Sequence, residues 1–248
     1  MVVNTEWGSW DDGLKVLPQT RFDTLVDESS SDPGCGLLEK MVSGMYLGEL
    51  LRLSLLDLMR HGALDMSFPD GSPVYIHMGI ESAFLSKIAE SKPENSLSAL
   101  SCITDTLVAT GVTSRDLRTI QMLATVIVKR SARLKSTSTQ IGSRRNTLTR
   151  FIRRMFGCIR PEEPSPISTS GSSYDSKDTL ESSELADEVI DIAVDGSLFE
   201  FHTAFESFMR TALHDVEAIG KANEARIKIE LTRDGSGTGA ALIAAAAA

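Results

Sequence analysis

One pattern occurs twice in this chain and limits what it can fold into: a short apolar strand, then Asp-Gly-Ser, then a helix. Val189, Ile190, Ile192, Ala193 and Val194 run into Asp195, Gly196 and Ser197, after which Phe201, Phe205, Phe208 and Ala212 recur at the spacing of an amphipathic helix. The alternation of Arg226, Ile227, Lys228, Ile229, Glu230 and Leu231 is that of a half-buried strand, and it leads to Asp234, Gly235, Ser236, Gly237 and a helical, alanine-rich run at 240–248. Units of this kind build α/β folds. The turn sets backbone N–H groups and the positive end of a helix dipole at one rim of the sheet, where a phosphate or ribose can sit. A single Asp-Gly-Ser reads as a structural turn; two in one α/β unit bring the ligand reading level with it.

Upstream, residues 37–61 read as one long, mostly buried helix. Its charges Glu49, Arg52, Asp57 and Arg60 share a face, while Met41, Met45, Leu51, Leu55 and Met59 lie elsewhere. Gly44 and Gly48, one turn apart, lower its helix propensity but permit another backbone to approach closely. Residues 68–97, interrupted by Pro69, Gly71, Pro73 and Pro93, read as short helices and loops. Ser114 is the expected N-cap of a further helix that runs through Ile120, Leu123, Ala124, Ile127 and Val128 to Leu134.

From Lys135 the character changes. Six arginines fall between Arg144 and Arg160 with no acid among them, and a Ser- and Pro-rich run follows. From about 161 to 184 there is too little apolar content to offset the entropy of ordering, so this part is expected to be disordered. The chain thus divides into 1–134, an insertion at 135–187, and 188–248. The arginines are suited to docking an acidic protein partner or import factor and the serines to phosphorylation; a solvated linker is the alternative.

A formal net charge of -9 opposes general attraction to nucleic acid or anionic lipid. Cys35, Cys102 and Cys158 are scattered, with no metal-binding spacing, which fits the reducing cytoplasm, or the nucleus. No run approaches the ~20 apolar residues of a membrane span.

In order along the chain, VVNTEWGSW, LPQTRFD, DESSSDPG, LEKMVSGMYLGELLR, AVDGSLF and DGSGTGAALIAA resemble the large domain of hexokinases, the fungal-type hexokinases and glucokinases in particular. The match is patchy over 68–108 and absent across 135–184. The resemblance implies an α/β, actin-like ATPase (ribonuclease H-like) fold, present here as an incomplete large domain. It implies a hexose, glucose foremost, held by Glu6 in the N-T-E-W-G turn and by Glu39 at the start of the long helix. A carboxylate accepts hydrogen bonds from two hydroxyls and so rejects analogues that lack them. Taken alone, Glu6 reads as a solvated residue and Glu39 as a first-turn carboxylate favoured by the helix dipole.

The resemblance also implies ATP with Mg²⁺, with Asp195, Gly196 and Ser197 at the adenosine-side turn and Gly235 and Gly237 at a second glycine turn. Cys35 and Gly36 stand where the family has two hydrogen-bonding glutamines, and Met45 where its animal enzymes have a lysine. No segment resembles the family's phosphate loop, its sugar-contacting S-x-T-K loop, or the N-D-T turn whose aspartate acts as base. No catalytic residue is therefore assigned. Phosphoryl transfer from ATP to the hexose 6-hydroxyl requires such groups around one centre. A non-catalytic sugar sensor or regulator is the alternative.

Overall fold

The computed structural model describes residues 8–91, 96–143, 190–194, 196–216, 221 and 224–232. The insertion lies outside the described residues from position 144 onward, as does the alanine-rich run at 240–248.

Helix α1 (Arg21–Glu28) starts at a capping box in which the Asp23 carboxylate accepts from Thr20 N at 2.7 Å and Thr20 Oγ1 accepts from Asp23 N. The single helix expected over 37–61 is two: α2 (Leu37–Val42) and α3 (Gly44–Arg60). The break is Ser43, which is extended with ψ 135°. Ser131 Oγ donates to Val42 O at 2.9 Å, so a carbonyl left free by the interruption finds its partner on another helix.

A 3₁₀ turn (Pro73–Tyr75) and α4 (Ser82–Ala89) follow, as the Pro- and Gly-broken sequence suggested, and then α5 (Ser96–Leu107), which lies almost wholly beyond that stretch. Helix α6 (Ser114–Ser143) is capped by Thr113 and not by Ser114: Asp116 Oδ2 accepts from Thr113 N at 2.9 Å, and Thr113 Oγ1 from Asp116 N at 3.2 Å. It runs past Leu134 because no glycine or proline interrupts it before Gly142. Ser136, fully buried, has its hydroxyl 2.7 Å from Ala132 O and 3.1 Å from Met209 O, so its polarity is satisfied inside the helix packing.

The final part is β1 (Ile190–Val194), α7 (Ser197–Phe201), α8 (Phe205–Asp215) and β2 (Ile227–Leu231). The strands pair in parallel, with Ile190 opposite Ile227 and Val194 opposite Leu231. Parallel pairing needs a crossover, which α7 and α8 supply. The expected amphipathic helix is interrupted at 202–204, which leaves Phe201 67% exposed while Phe205 and Met209 are fully buried.

Helix α6 packs against α2, α3, α4, α5 and α8, with Leu117, Ile120, Ala124, Val128 and Ala132 at helical spacing along the buried side. They join Leu47, Leu51 and Leu55 of α3, Leu85 and Ile88 of α4, and Phe205, Met209 and Leu213 of α8 in one apolar core. Two of the four charges expected to share one face of the long helix lie inside this packing. Glu49 and Arg52 are buried and bidentate, with Arg52 Nε and Nη2 at 2.7 and 2.5 Å from the carboxylate oxygens. Arg52 Nη1 also donates to Val74 O at 2.9 Å, and Met78 N to Glu49 Oε2 at 2.8 Å, so the pair ties α3 to the segment after the 3₁₀ turn. Among the described residues no helix is long and apolar enough to cross a membrane.

Candidate functional site

Helix α2 carries Glu39 in its first turn, and residues 8–17 build its seat. Asp11 folds this segment on itself by accepting from the N–H groups of Lys15, Val16 and Leu17 at 2.9, 2.7 and 2.8 Å. Those bonds, the one from Leu17 foremost, hold its carboxyl below the ordinary range against the opposing effect of burial. Trp10 and Leu17 pack on Leu38 and Met41 of α2 in a small apolar cluster.

Asp12 then reaches the helix itself. Its two oxygens accept from Gly36 N at 3.2 Å and Leu37 N at 2.9 Å, and Gly8 O accepts from Glu39 N at 3.2 Å. Three otherwise unpaired amides at the start of α2 are thereby satisfied by one neighbouring segment. The Glu39 carboxylate lies on Gly8, where a Cβ would stand 2.8 Å from Oε2. Glu39 is exposed, and among the described residues nothing donates to its carboxylate.

The loop that enters α2 is held from behind. Asp27 accepts from Gly34 N at 3.0 Å and from Lys40 Nζ at 2.6 Å, while Lys40 Nζ also donates to Asp32 O at 2.7 Å. Burial works to raise the Asp27 carboxyl, but the Lys40 hydrogen bond and charge and the Gly34 N–H outweigh it and hold the group below its ordinary value. Lys40 is buried and Cys35 is exposed at the loop tip. Gly36 enters the helix at φ 64°, a left-handed geometry that disfavours a side chain.

On the opposite side of Ser43, α3 begins at Gly44, against the N-terminus of α7. A Cβ on Gly44 would fall 2.9 Å from Ser197 Oγ, 3.4 Å from Leu198 Cγ and 3.5 Å from Ser82 Oγ. Gly196, at φ 148°, is the N-cap of α7 and brings no side-chain oxygen to its amides. Phe199 N and Glu200 N both turn back to Gly196 O at 3.1 Å. Ser197 is exposed. Lys135 Nζ lies 3.8 Å from where a Cβ on Gly196 would be.

Of the residues named from sequence, Glu39, Gly196 and Ser197 are described, whereas Glu6, Asp195, Gly235 and Gly237 lie outside the described residues. Glu39 sits against Gly8, two positions beyond Glu6 in sequence, and Gly196 and Ser197 sit against the start of α3. Asp12, Lys40, Gly44 and Ser82 belong to these surroundings and were not singled out as site residues. Asp12 carried a signal, a carboxylate shortly after a glycine turn, but its partner is 24 residues away. A polar groove of about 450 Å³ runs along α8, lined by Thr203, Glu206, Arg210, His214 and Glu224 among others. Its two carboxylates are already paired with Arg210 at 2.8 and 2.7 Å, and none of Glu39, Gly196 and Ser197 lines it.

Among the described residues, the arrangement offers a carboxylate without a donor on one side and, on the other, a helix start with no side-chain cap behind a glycine. No cluster of His, Cys, Asp and Glu able to hold a metal ion occurs among the described residues.

The family profile described as Hexokinase matches residues 1–246. The chain is 35% identical to the glucokinase of Aspergillus niger over 98% of its own length and 44% of that protein. It is 31% identical to glucokinase-1 of Saccharomyces cerevisiae over 98% of itself and 43% of the relative. The hexokinase of Schistosoma mansoni, solved in complex with glucose, superposes with a TM-score of 0.68 at 28% identity, covering 98% of this chain and 45% of that one. The chain spans less than half the length of the curated relatives it matches.

Proposed function

This chain belongs to the hexokinase family, with the actin-like ATPase fold of its structural neighbours, and we propose that it forms the large-domain wall of a hexose kinase. That enzyme transfers the γ-phosphoryl group of ATP to the 6-hydroxyl of a hexose, with glucose as the first candidate. The observation that carries the reading is the seating of Glu39: exposed, without a donor to its carboxylate among the described residues, and braced against the glycine that closes the N-T-E-W-G turn. A carboxylate held this way accepts sugar hydroxyls without first giving up a contact with any described residue.

On the nucleotide side, Gly196 brings no side chain of its own to the start of α7, with Lys135 Nζ beside it, and the exposed Ser197 carries a hydroxyl next to Gly44. These residues fit the adenosine end of ATP. Mg²⁺, carried with the nucleotide, supplies charge neutralisation at the transferred phosphoryl group. Within this chain the residues bind and orient: Glu39 holds the hexose, and the start of α7 holds the nucleotide.

The test joins the chain to the N-terminal half of a family relative and measures ATP-dependent phosphorylation of glucose. Turnover that falls when Glu39 is changed to Gln is expected, and absence of turnover sinks the kinase reading. A second reading, a sugar-binding regulator without turnover, is favoured by Cys35 and Gly36, which offer no side-chain amide to a sugar. Saturable glucose binding by the joined protein with no phosphorylation would select it.

A further inference from the structure

We infer that Asp12 is a positioning residue for Glu39, acting through the first turn of α2 to present the Glu39 carboxylate to the sugar; this rests on the hexose reading above.

The geometry is one-sided. Asp12 takes both Gly36 N and Leu37 N, at 3.2 and 2.9 Å, although Gly36, at the N-cap position itself, has no side chain to serve as a cap. The cap of α2 therefore comes from 24 and 25 positions upstream, from the segment on which the Glu39 carboxylate rests. Helix α2 is only six residues long, ends at the extended Ser43, and makes no continuous helix with α3. It packs on α1, α3 and α6 through Leu37, Leu38 and Met41, but the amides of its first turn are bonded by the segment at 8–12. What fixes the direction of Glu39 is the pair of Asp12 bonds, the Glu39 N–H to Gly8 O bond at 3.2 Å, and the apolar contact of Leu38 and Met41 with Trp10 and Leu17. Asp27 and Lys40 brace the loop from behind, but the side-chain bonds to the amides of residues 36 and 37 are those of Asp12. Asp12 itself touches no sugar-facing atom that the structure describes; its effect passes through the backbone of Gly36 and Leu37.

The experiment is a double-substitution cycle in the chain joined to the N-terminal half of a family relative, titrated with glucose by calorimetry, with thermal unfolding recorded for each variant. Asp12→Ala is expected to weaken glucose binding about tenfold, since small misplacements of a binding group are costly. Asp12→Asn keeps the shape and one acceptor oxygen and is expected to recover part of that loss. In a Glu39→Gln background, Asp12→Ala is expected to cost little more, because the carboxylate it positions is already gone. An equal loss in both backgrounds, with folding intact, overturns the positioning role and leaves the hexose reading standing. Should Asp12→Ala not fold, the same comparison with Asp12→Asn decides the matter. If the joined protein with the unaltered chain binds no glucose, the hexose reading fails and the role of Asp12 falls with it.

Discussion

The carbonyl oxygen of Ile80 lies 1.9 Å from where a side-chain carbon on Gly48 would begin. Helix α3 and the strand-like segment before α4 are thus in backbone contact at a point where only glycine fits, with Ile80 C at 2.8 Å and Glu81 C at 3.1 Å completing the obstruction. None of these atoms can rotate out of the way. Gly48→Ala is expected to destabilise the fold by about 3 kcal/mol, at the upper end of overpacking costs. An unchanged urea midpoint would show that the two segments separate freely.

The Glu49–Arg52 pair leads to a prediction about charge left behind. Replacing Glu49 alone by Leu strands the Arg52 guanidinium, 7% exposed, with a single carbonyl partner at Val74. The expected cost is about 3 kcal/mol or more, because an uncompensated charge remains buried. Glu49→Leu combined with Arg52→Met is expected to be more stable than Glu49→Leu alone. The comparison by denaturant unfolding fails the idea if the double variant is the weaker.

Asp27 makes the loop before α2 sensitive to acid. Its carboxyl is held below 3.8 in the folded chain, so its contribution to stability is fully present above that value and disappears as pH falls through the folded value. Lys40→Met removes the side-chain partner responsible. Unfolding midpoints measured from pH 6 to pH 3 are expected to fall less steeply in Lys40→Met than in the unaltered chain. Parallel curves would assign the acid sensitivity elsewhere.

His202 acts at a higher pH. It is 3% exposed, and its burial lowers its pKa from 6.5, against the opposing charge of Glu90. Nδ1 accepts from Ala204 N at 3.3 Å, which leaves the ring proton on Nε2, buried and without a partner among the described residues. A base with a depressed folded value adds stability above 6.5 that is lost as pH falls below it. His202→Phe is expected to flatten part of the fall in melting temperature as pH drops below 6.5, the share of the other histidines remaining in both proteins. A slope equal to that of the unaltered chain would exclude His202 as its source.

Much of the architecture was legible because it is written in local periodicity. The period-two alternation at 226–231 became β2, and the helical spacing of Ile120, Ala124 and Val128 became the buried side of α6. What escaped depends on partners far along the chain. Ser43 breaks a helix that its own neighbours would continue, and the free carbonyl at Val42 is answered by Ser131, 89 positions on. Glu49 and Arg52 look like surface charges until Val74 and Met78 come to meet them. Of the candidate site, Glu39 and the Gly196–Ser197 turn were found through a resemblance, since alone each is a common local motif. Asp12 was passed over because its sequence neighbours say nothing of Gly36 and Leu37.

The extended residue at Ser43 also separates two rotational phases. In a continuous helix, each added or lost residue turns everything beyond it by about 100°. Here the azimuth of Glu39 is set by its contacts with residues 8–12, and that of Gly44 and Gly48 by Ser197 and Ile80. Glu39 and Gly44 are five positions apart, yet neither inherits its orientation from the other. A residue gained or lost at Ser43 would therefore leave Glu39 facing residues 8–12 and Gly44 and Gly48 facing Ser197 and Ile80.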